Sequence, residues 1–161
     1  MLLHGGDVTG YELEYNKKPI DFSANINPLG VPKGVKKAII NSVSNINMYP
    51  DPLCRKLIDE ISNFENIDKK NIICGNGAAD LIFSFVFALK PKKAIIPIPT
   101  FAEYEQALNS VNCEIDYYYM KSENNFKIDE TILDKLIDKI DVIFICNPNN
   151  PTGEVIEKKI T

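Results

Sequence analysis

From Asn71 to Cys146 the sequence repeats one pattern: a short apolar run, a turn, then residues at helical spacing. Ile72-Ile73-Cys74, Ala94 to Ile98, Glu114 to Tyr119 and Val142 to Cys146 read as strands. Between them lie a helix carrying Leu81, Ile82, Phe85, Val86 and Leu89, a helix from about Phe101 to Val111, and a helix capped by Asp129 with Ile132, Leu133, Leu136 and Ile137. Within the third strand Ile115, Tyr117 and Tyr119 alternate onto one face. Neighbouring parallel strands need a crossover, and a strand covered on both faces must be apolar along its length. The pattern therefore predicts an α/β fold: a mostly parallel sheet with helices on both faces.

The residues before Asn71 lack this rhythm. Residues 1–33 read as an irregular N-terminal arm that includes the turn Asn27-Pro28-Leu29-Gly30, a fixed loop by its Pro and Gly. A helix is expected from about Pro32 to Ser44. A second should be capped by Asp51, with Pro52 in its first turn and Leu53, Leu57, Ile61 and Phe64 as its apolar stripe. The expected division is an arm over 1–33 and a large domain over 34–161.

Charge and composition remove several function classes. The formal net charge is -4 with no basic stripe, which argues against a nucleic-acid partner. No apolar run approaches the ~20 residues of a membrane span. The start turns polar at once, so no signal peptide is expected and the location should be cytoplasmic. The single histidine, His4, and four cysteines without a C-x-x-C pair predict reduced thiols and no metal site.

Three loops follow strands and carry chemistry. Gly75-Asn76-Gly77-Ala78-Ala79-Asp80 joins a strand to a helix. Its glycines would let a bulky anion approach the free N–H groups of the helix's first turn, although a plain strand-to-helix turn accounts for it equally. Pro99-Thr100-Phe101-Ala102-Glu103-Tyr104 puts an aromatic at a strand's carboxyl end. That ring can stack on a planar ligand, although taken alone Phe101 reads more simply as core. Asn147-Pro148-Asn149-Asn150-Pro151-Thr152-Gly153 forms a rigid polar loop in which an asparagine could donate to an anionic ring oxygen and Pro151 could be cis. A structural turn is the alternative there.

In order and spacing these loops resemble fold-type-I aminotransferases, pyridoxal-phosphate enzymes. His4-Gly5-Gly6, Asp21 to Gly30, Tyr49-Pro50-Asp51 and Cys146 to Gly153 are similar to one branch, that of threonine-phosphate decarboxylase (cobalamin biosynthesis) and histidinol-phosphate aminotransferase. The match runs along essentially the whole chain but only about the first half of a family member. It implies a partial large domain, pyridoxal 5'-phosphate as cofactor, a phosphorylated amino acid as substrate, and a homodimer. It implies that the backbone of Gly77, Ala78 and Ala79 holds the cofactor phosphate, Phe101 stacks on the ring and Asn150 bonds its phenolic oxygen. Tyr49 would reach the cofactor phosphate of the other subunit. Asn25, Asn27 and Gly30 would approach the substrate carboxylate, and His4 its phosphate.

The resemblance also shows what these 161 residues lack. No lysine stands in the family's Ser/Thr-x-Ser/Thr-Lys context, and the acid that pairs with the pyridine nitrogen and the carboxylate-binding arginine are missing. The expectation is an N-terminal portion with no catalytic residue of its own, marginally stable and inactive alone. The parent's expected reaction is decarboxylation of threonine phosphate, with histidinol-phosphate transamination as the alternative. A non-catalytic binding or pairing module is the reading from another class. The family's sheet order is 3-2-4-5-6-7-1, so the strand at 72–74 should lack a neighbour here.

Overall fold

The structure is a computed structural model that describes residues 5–137 and 139–156, without the side chain of Ile137. His4 lies outside the described residues. By its internal contacts the chain divides into two compact units, residues 1–73 and 74–161.

In the first unit, helix α1 spans Val8–Tyr15, α2 Lys33–Ser42 and α3 Arg55–Glu65. Short 3-10 turns follow at Val43–Asn45 and Lys69–Asn71. Helix α1 corrects the expectation of an irregular arm. Asp7 caps it by accepting from Gly10 N at 2.9 Å, and Tyr11 and Tyr15 pair one turn apart with ring centroids 4.6 Å apart. An internal glycine and the lack of an apolar stripe hide this helix from periodicity. Helix α3 also differs from expectation. Asp51 does cap it, accepting from Arg55 N at 2.9 Å and Leu53 N at 3.1 Å, but from outside. Cys54 turns left-handed (φ 49°), and Pro52 lies in the preceding turn, not the helix's first. The Asn27 turn is fixed as expected: Asn27 bonds Leu29 N and the Gly30 carbonyl, and Gly30 takes φ +73°. None of the described residues of this unit is buried, and the stripe is open, with Phe64 at 87% exposure.

The second unit holds the sheet. Helix α4 spans Ala78–Leu89, β1 Lys93–Ile98, α5 Glu103–Ser110, β2 Glu114–Tyr119 and β3 Val142–Ile143. The order is β2-β1-β3, all parallel. Lys93 to Ile98 pair in register with Glu114 to Tyr119, and Ala94 and Ile95 pair with Val142 and Ile143. Central β1 is buried on both faces. Ala94 and Ile96 pack with Val86 of α4 and Ala107 and Leu108 of α5. Ile95 packs on the opposite face with Tyr118, Met120 and Ile132. A 3-10 segment, Glu130–Ile137, lies on that second face. An α-helix was expected there; the Ile132 N bond to the Asp129 carbonyl, three residues back, begins the tighter coil. Asp129 caps it as expected, accepting from Thr131 N at 2.9 Å.

Residues 72–74 do not form the expected strand. Ile72 is extended (φ -118°, ψ 126°) but Ile73 is 81% exposed. Both edges of β1 are taken by β2 and β3, so the segment cannot join the central strand. The last strand is also shorter than expected: after Ile143 one bond remains, Phe144 N to the Ile95 carbonyl at 3.1 Å. All four cysteines are free thiols. Among the described residues no helix is long and apolar enough to cross a membrane.

Two outcomes follow for stability. Leu108 is fully buried, so Leu108→Ala should cost about 2–5 kcal/mol in chemical denaturation, whereas Leu13→Ala, at an exposed position, should cost less than about 0.5 kcal/mol. Asp141 accepts from Lys92 N at 2.7 Å and Lys93 N at 3.1 Å, and these bonds hold its carboxyl below the ordinary 3.8. Its contribution is present above the unfolded-state pKa and is lost as pH falls through the lower folded-state value. Unfolding midpoints measured across the acid range should therefore fall less steeply in Asp141→Asn than in the parent chain.

Candidate functional site

The lysine-bearing turn between α4 and β1 is only three residues long, Lys90 to Lys92. A helix of about 18 Å followed by so short a link must run back along a strand of about 20 Å. The N-terminus of α4 therefore lies toward the carboxyl edge of the sheet, where the loops after β1 and β3 emerge. Ring contact between Phe85 of α4 and Phe144 after β3, with centroids 6.3 Å apart, agrees with this path.

The first loop presents open N–H groups. Gly77 precedes α4 with φ 91° and ψ 170°, a conformation confined in practice to glycine, and no side chain caps the helix. A Cβ added at Gly77 would meet nothing within 4 Å, so the space before the helix is clear. Ala78 is exposed and Ala79 half-buried. Asp80 in the first turn could oppose an anion, but its Oδ2 is engaged by Asn76 N at 2.8 Å and so folds back on the loop. Donors, dipole and clear space together suit a phosphate group.

The second loop follows the cis Ile98–Pro99 bond. Phe101 meets Tyr104 edge-on at 5.7 Å, and Tyr104 stacks on Phe144 at 4.7 Å with 13° between the rings. Tyr104 and Phe144 pack against the core, and Phe101, half-buried, meets the edge of that pair through Tyr104. Burial, reinforced by a hydrogen bond with Cys146, pushes the Tyr104 phenol up to about 12. It therefore stays neutral at ordinary pH and places no negative charge under Phe101.

The third loop divides its asparagines among three tasks. Asn147 Oδ1 accepts from Ile156 N at 3.1 Å. Asn149 reaches across to the second loop, donating to the Pro99 carbonyl at 3.0 Å and accepting from the Thr100 hydroxyl at 2.9 Å. Asn150 is exposed, and its N–H points to Cys146 Sγ at 3.4 Å. The Asn150–Pro151 bond is cis, as is Asn147–Pro148. Sequence reasoning missed Asn149 and Thr100. The run of three asparagines signalled a polar loop, but nothing in it says which amide turns inward.

The remaining sequence-predicted residues lie in the first unit. Tyr49 is fully exposed. Asn25 is exposed, and Asn27 and Gly30 close their own turn. The Gly5-Gly6 and Asp21 to Ser23 strings come together: Gly6 N donates to Ser23 Oγ at 2.7 Å, and that hydroxyl donates to Asp21 at 2.6 Å. A Cβ at Gly5 would overlap the Ser23 carbonyl, so only glycine fits there. A cavity of about 530 Å³ lies between these strings, Val8 and Tyr11.

A second cavity, about 560 Å³, lies elsewhere in the sheet unit, against Met120, Phe126, Ile128 and Ile156. It takes in Asn149 but not Gly77, Phe101 or Asn150. Carboxylates of Asp129, Glu130 and Glu154 line it, against one lysine, Lys127. Like charges disfavour a phosphate there, so the rim of the sheet is the better anion site.

The Aminotransferase class I and II profile matches residues 17–159. Threonine-phosphate decarboxylase of Salmonella typhimurium is 36% identical over 160 residues, covering 98% of this chain and 44% of that protein. Histidinol-phosphate aminotransferase of Methanococcus aeolicus is 38% identical over 152 residues, covering 90% of this chain and 41% of that protein. The solved structure of histidinol-phosphate aminotransferase from Sinorhizobium meliloti, in complex with pyridoxal-5'-phosphate, has a TM-score of 0.82 at 17% identity. It covers 93% of this chain and 41% of that one and shows a shared fold. The chain thus spans about two-fifths of the length of the relatives it matches.

The geometry at Gly77 generates a direct test. Gly77→Ala should destabilise the chain by about 1–3 kcal/mol through backbone strain alone. Gly34→Ala, in helix α2 with equally open space, should be neutral or stabilise by up to about 1 kcal/mol. Denaturant midpoints of the two variants compare them.

Proposed function

Because the chain belongs to the aminotransferase class I and II family, we propose that it is the cofactor-gripping part of a pyridoxal-phosphate enzyme that acts on a phosphorylated amino acid. What supports the reading is the direction of three loops toward one edge of the sheet: the uncapped turn at Gly77 to Ala79, turned there by the short return from α4, and the loops of half-buried Phe101 and exposed Asn150, which Asn149 joins.

Each part has a distinct task. The N–H groups of Gly77, Ala78 and Ala79 hold the cofactor phosphate, helped by the positive end of α4. Phe101 covers one face of the ring, and the Tyr104 and Phe144 rings behind it keep water from that side. Asn150 donates its side-chain N–H to the phenolic oxygen and so holds that oxygen anionic. When bound, pyridoxal phosphate supplies a ring that withdraws electrons from the substrate's breaking bond. Asn25, Asn27 and Gly30 serve the substrate carboxylate, and His4 its phosphate. Tyr49, fully exposed here, serves the cofactor of a second copy in a homodimer.

Decarboxylation of threonine phosphate is the reaction we favour for the whole protein, on the His4-Gly5-Gly6 and Ser23 to Asn27 strings, between which Gly6 N bonds Ser23 Oγ. Histidinol-phosphate transamination is the second reading, favoured by the 38% identical relative. Carbon dioxide release against glutamate-dependent amino transfer separates the two in a protein that carries the family's lysine.

The chain itself offers a simpler test. Titrated with pyridoxal phosphate, it should bind reversibly and saturably, and Phe101→Ala should weaken binding by about three- to tenfold. Borohydride reduction followed by peptide mapping should leave no single lysine labelled in full. Binding unaffected by Phe101→Ala, or stoichiometric labelling of one lysine, would contradict the reading.

A further inference from the structure

We propose that Asn149 is the positioning residue of the rim: its side-chain amide locks the loop carrying Phe101 to the loop carrying Asn150, so that ring face and ring edge are gripped in one frame. This rests on the reading of the rim as a cofactor grip.

An asparagine side chain offers two N–H donors and one carbonyl oxygen. At Asn149 the amide nitrogen donates to the Pro99 carbonyl at 3.0 Å and to Thr152 Oγ1 at 2.8 Å. The oxygen accepts from the Thr100 hydroxyl at 2.9 Å. The main chain is held as well, with N bonded to the Glu154 carbonyl at 2.8 Å and the carbonyl accepting from Gly153 N at 2.7 Å. Asn149 is half-buried where Asn150 is exposed.

The position gives these bonds their leverage. Asn149 immediately precedes Asn150, and Thr100 immediately precedes Phe101. Among the described residues the last backbone bond between β1 and the β3 segment is Phe144 N to the Ile95 carbonyl, well short of both loops. Beyond it, the Asn149 side chain supplies the link that the ladder does not. A stacked face and an edge donor must be set within a fraction of an ångström of each other to act on one ring. Aspartate at 149 keeps the shape but has no N–H, and its charge would face the Pro99 carbonyl.

The test compares Asn149→Asp, Thr100→Val and Thr100→Ser in the full chain. Three readouts are taken: pyridoxal phosphate affinity, inorganic phosphate affinity by competition, and amide hydrogen exchange at Thr100, Phe101, Asn150 and Gly153. Asn149→Asp and Thr100→Val should weaken pyridoxal phosphate about tenfold and leave inorganic phosphate within about twofold. Exchange should accelerate in both loops, and Thr100→Ser should restore all three readouts. Unchanged pyridoxal phosphate affinity in both disruptive variants overturns the proposal. So does an equal loss of both ligands with a lowered unfolding midpoint, the mark of a merely structural role. Should the parent chain fail to bind pyridoxal phosphate, the reading of the rim falls. Exchange then decides the clamp, and unchanged exchange at Thr100 and Phe101 in Asn149→Asp overturns it.

Discussion

Pairing of β1 on both edges is the constraint from which the sheet unit follows. Lys93 to Ile98 are bonded to β2 along their length and to β3 at Ala94 and Ile95. Both faces of the strand are covered, so Ala94, Ile95 and Ile96 are essentially inaccessible. A strand enclosed in this way has one exit, its carboxyl end, and the chain leaves it through Pro99 and Thr100. The short return from α4 brings the Gly77 turn toward the same edge. Parallel pairing then obliges the loop after β3 to emerge beside the loop after β1.

What the rim can do depends on how that edge is finished. Backbone pairing between β1 and β3 stops early, and polar side chains continue the connection through Asn149, Thr100 and Thr152. Aromatic packing supports the second loop from below, through Tyr104 and Phe144. Cys146 joins the two systems, since its sulfur lies against the Tyr104 phenol and accepts from Asn150 N. Phe101 and Asn150 therefore stand on a frame built of core contacts on one side and side-chain hydrogen bonds on the other. A grip for a flat, anionic ring needs that rigidity more than it needs depth.

The alternation of strands and helices was legible because β1 must be apolar throughout; in Glu114–Tyr119, Ile115 and Tyr117 do turn to one core cluster and Tyr118 to the other, although burial does not alternate and Tyr119 is exposed. Strand order was legible only through family resemblance: the observed β2-β1-β3 corresponds to 3-2-4 in the family's numbering. Local pattern misled where partners decide the outcome. Ile72 to Cys74 has strand composition, yet no described strand lies beside it. Helix α1 has no stripe at all and depends on the Asp7 cap and a tyrosine pair. At the site, glycines and prolines announced the loops. The division of labour among Asn147, Asn149 and Asn150 was not legible, because it depends on which amide meets a loop some fifty residues away.

The first unit shows an open apolar surface, with Leu13, Phe22, Leu29 and Phe64 all more than four-fifths exposed. Amide chemical shifts of the isotopically labelled chain, followed during addition of pyridoxal phosphate, report where the ring and its phosphate sit. The largest changes should fall at Gly77 to Ala79, Thr100 to Phe101 and Asn149 to Asn150. Changes centred instead on Phe126 to Thr131 and Val155 to Ile156, which line the acidic cavity, would overturn that placement.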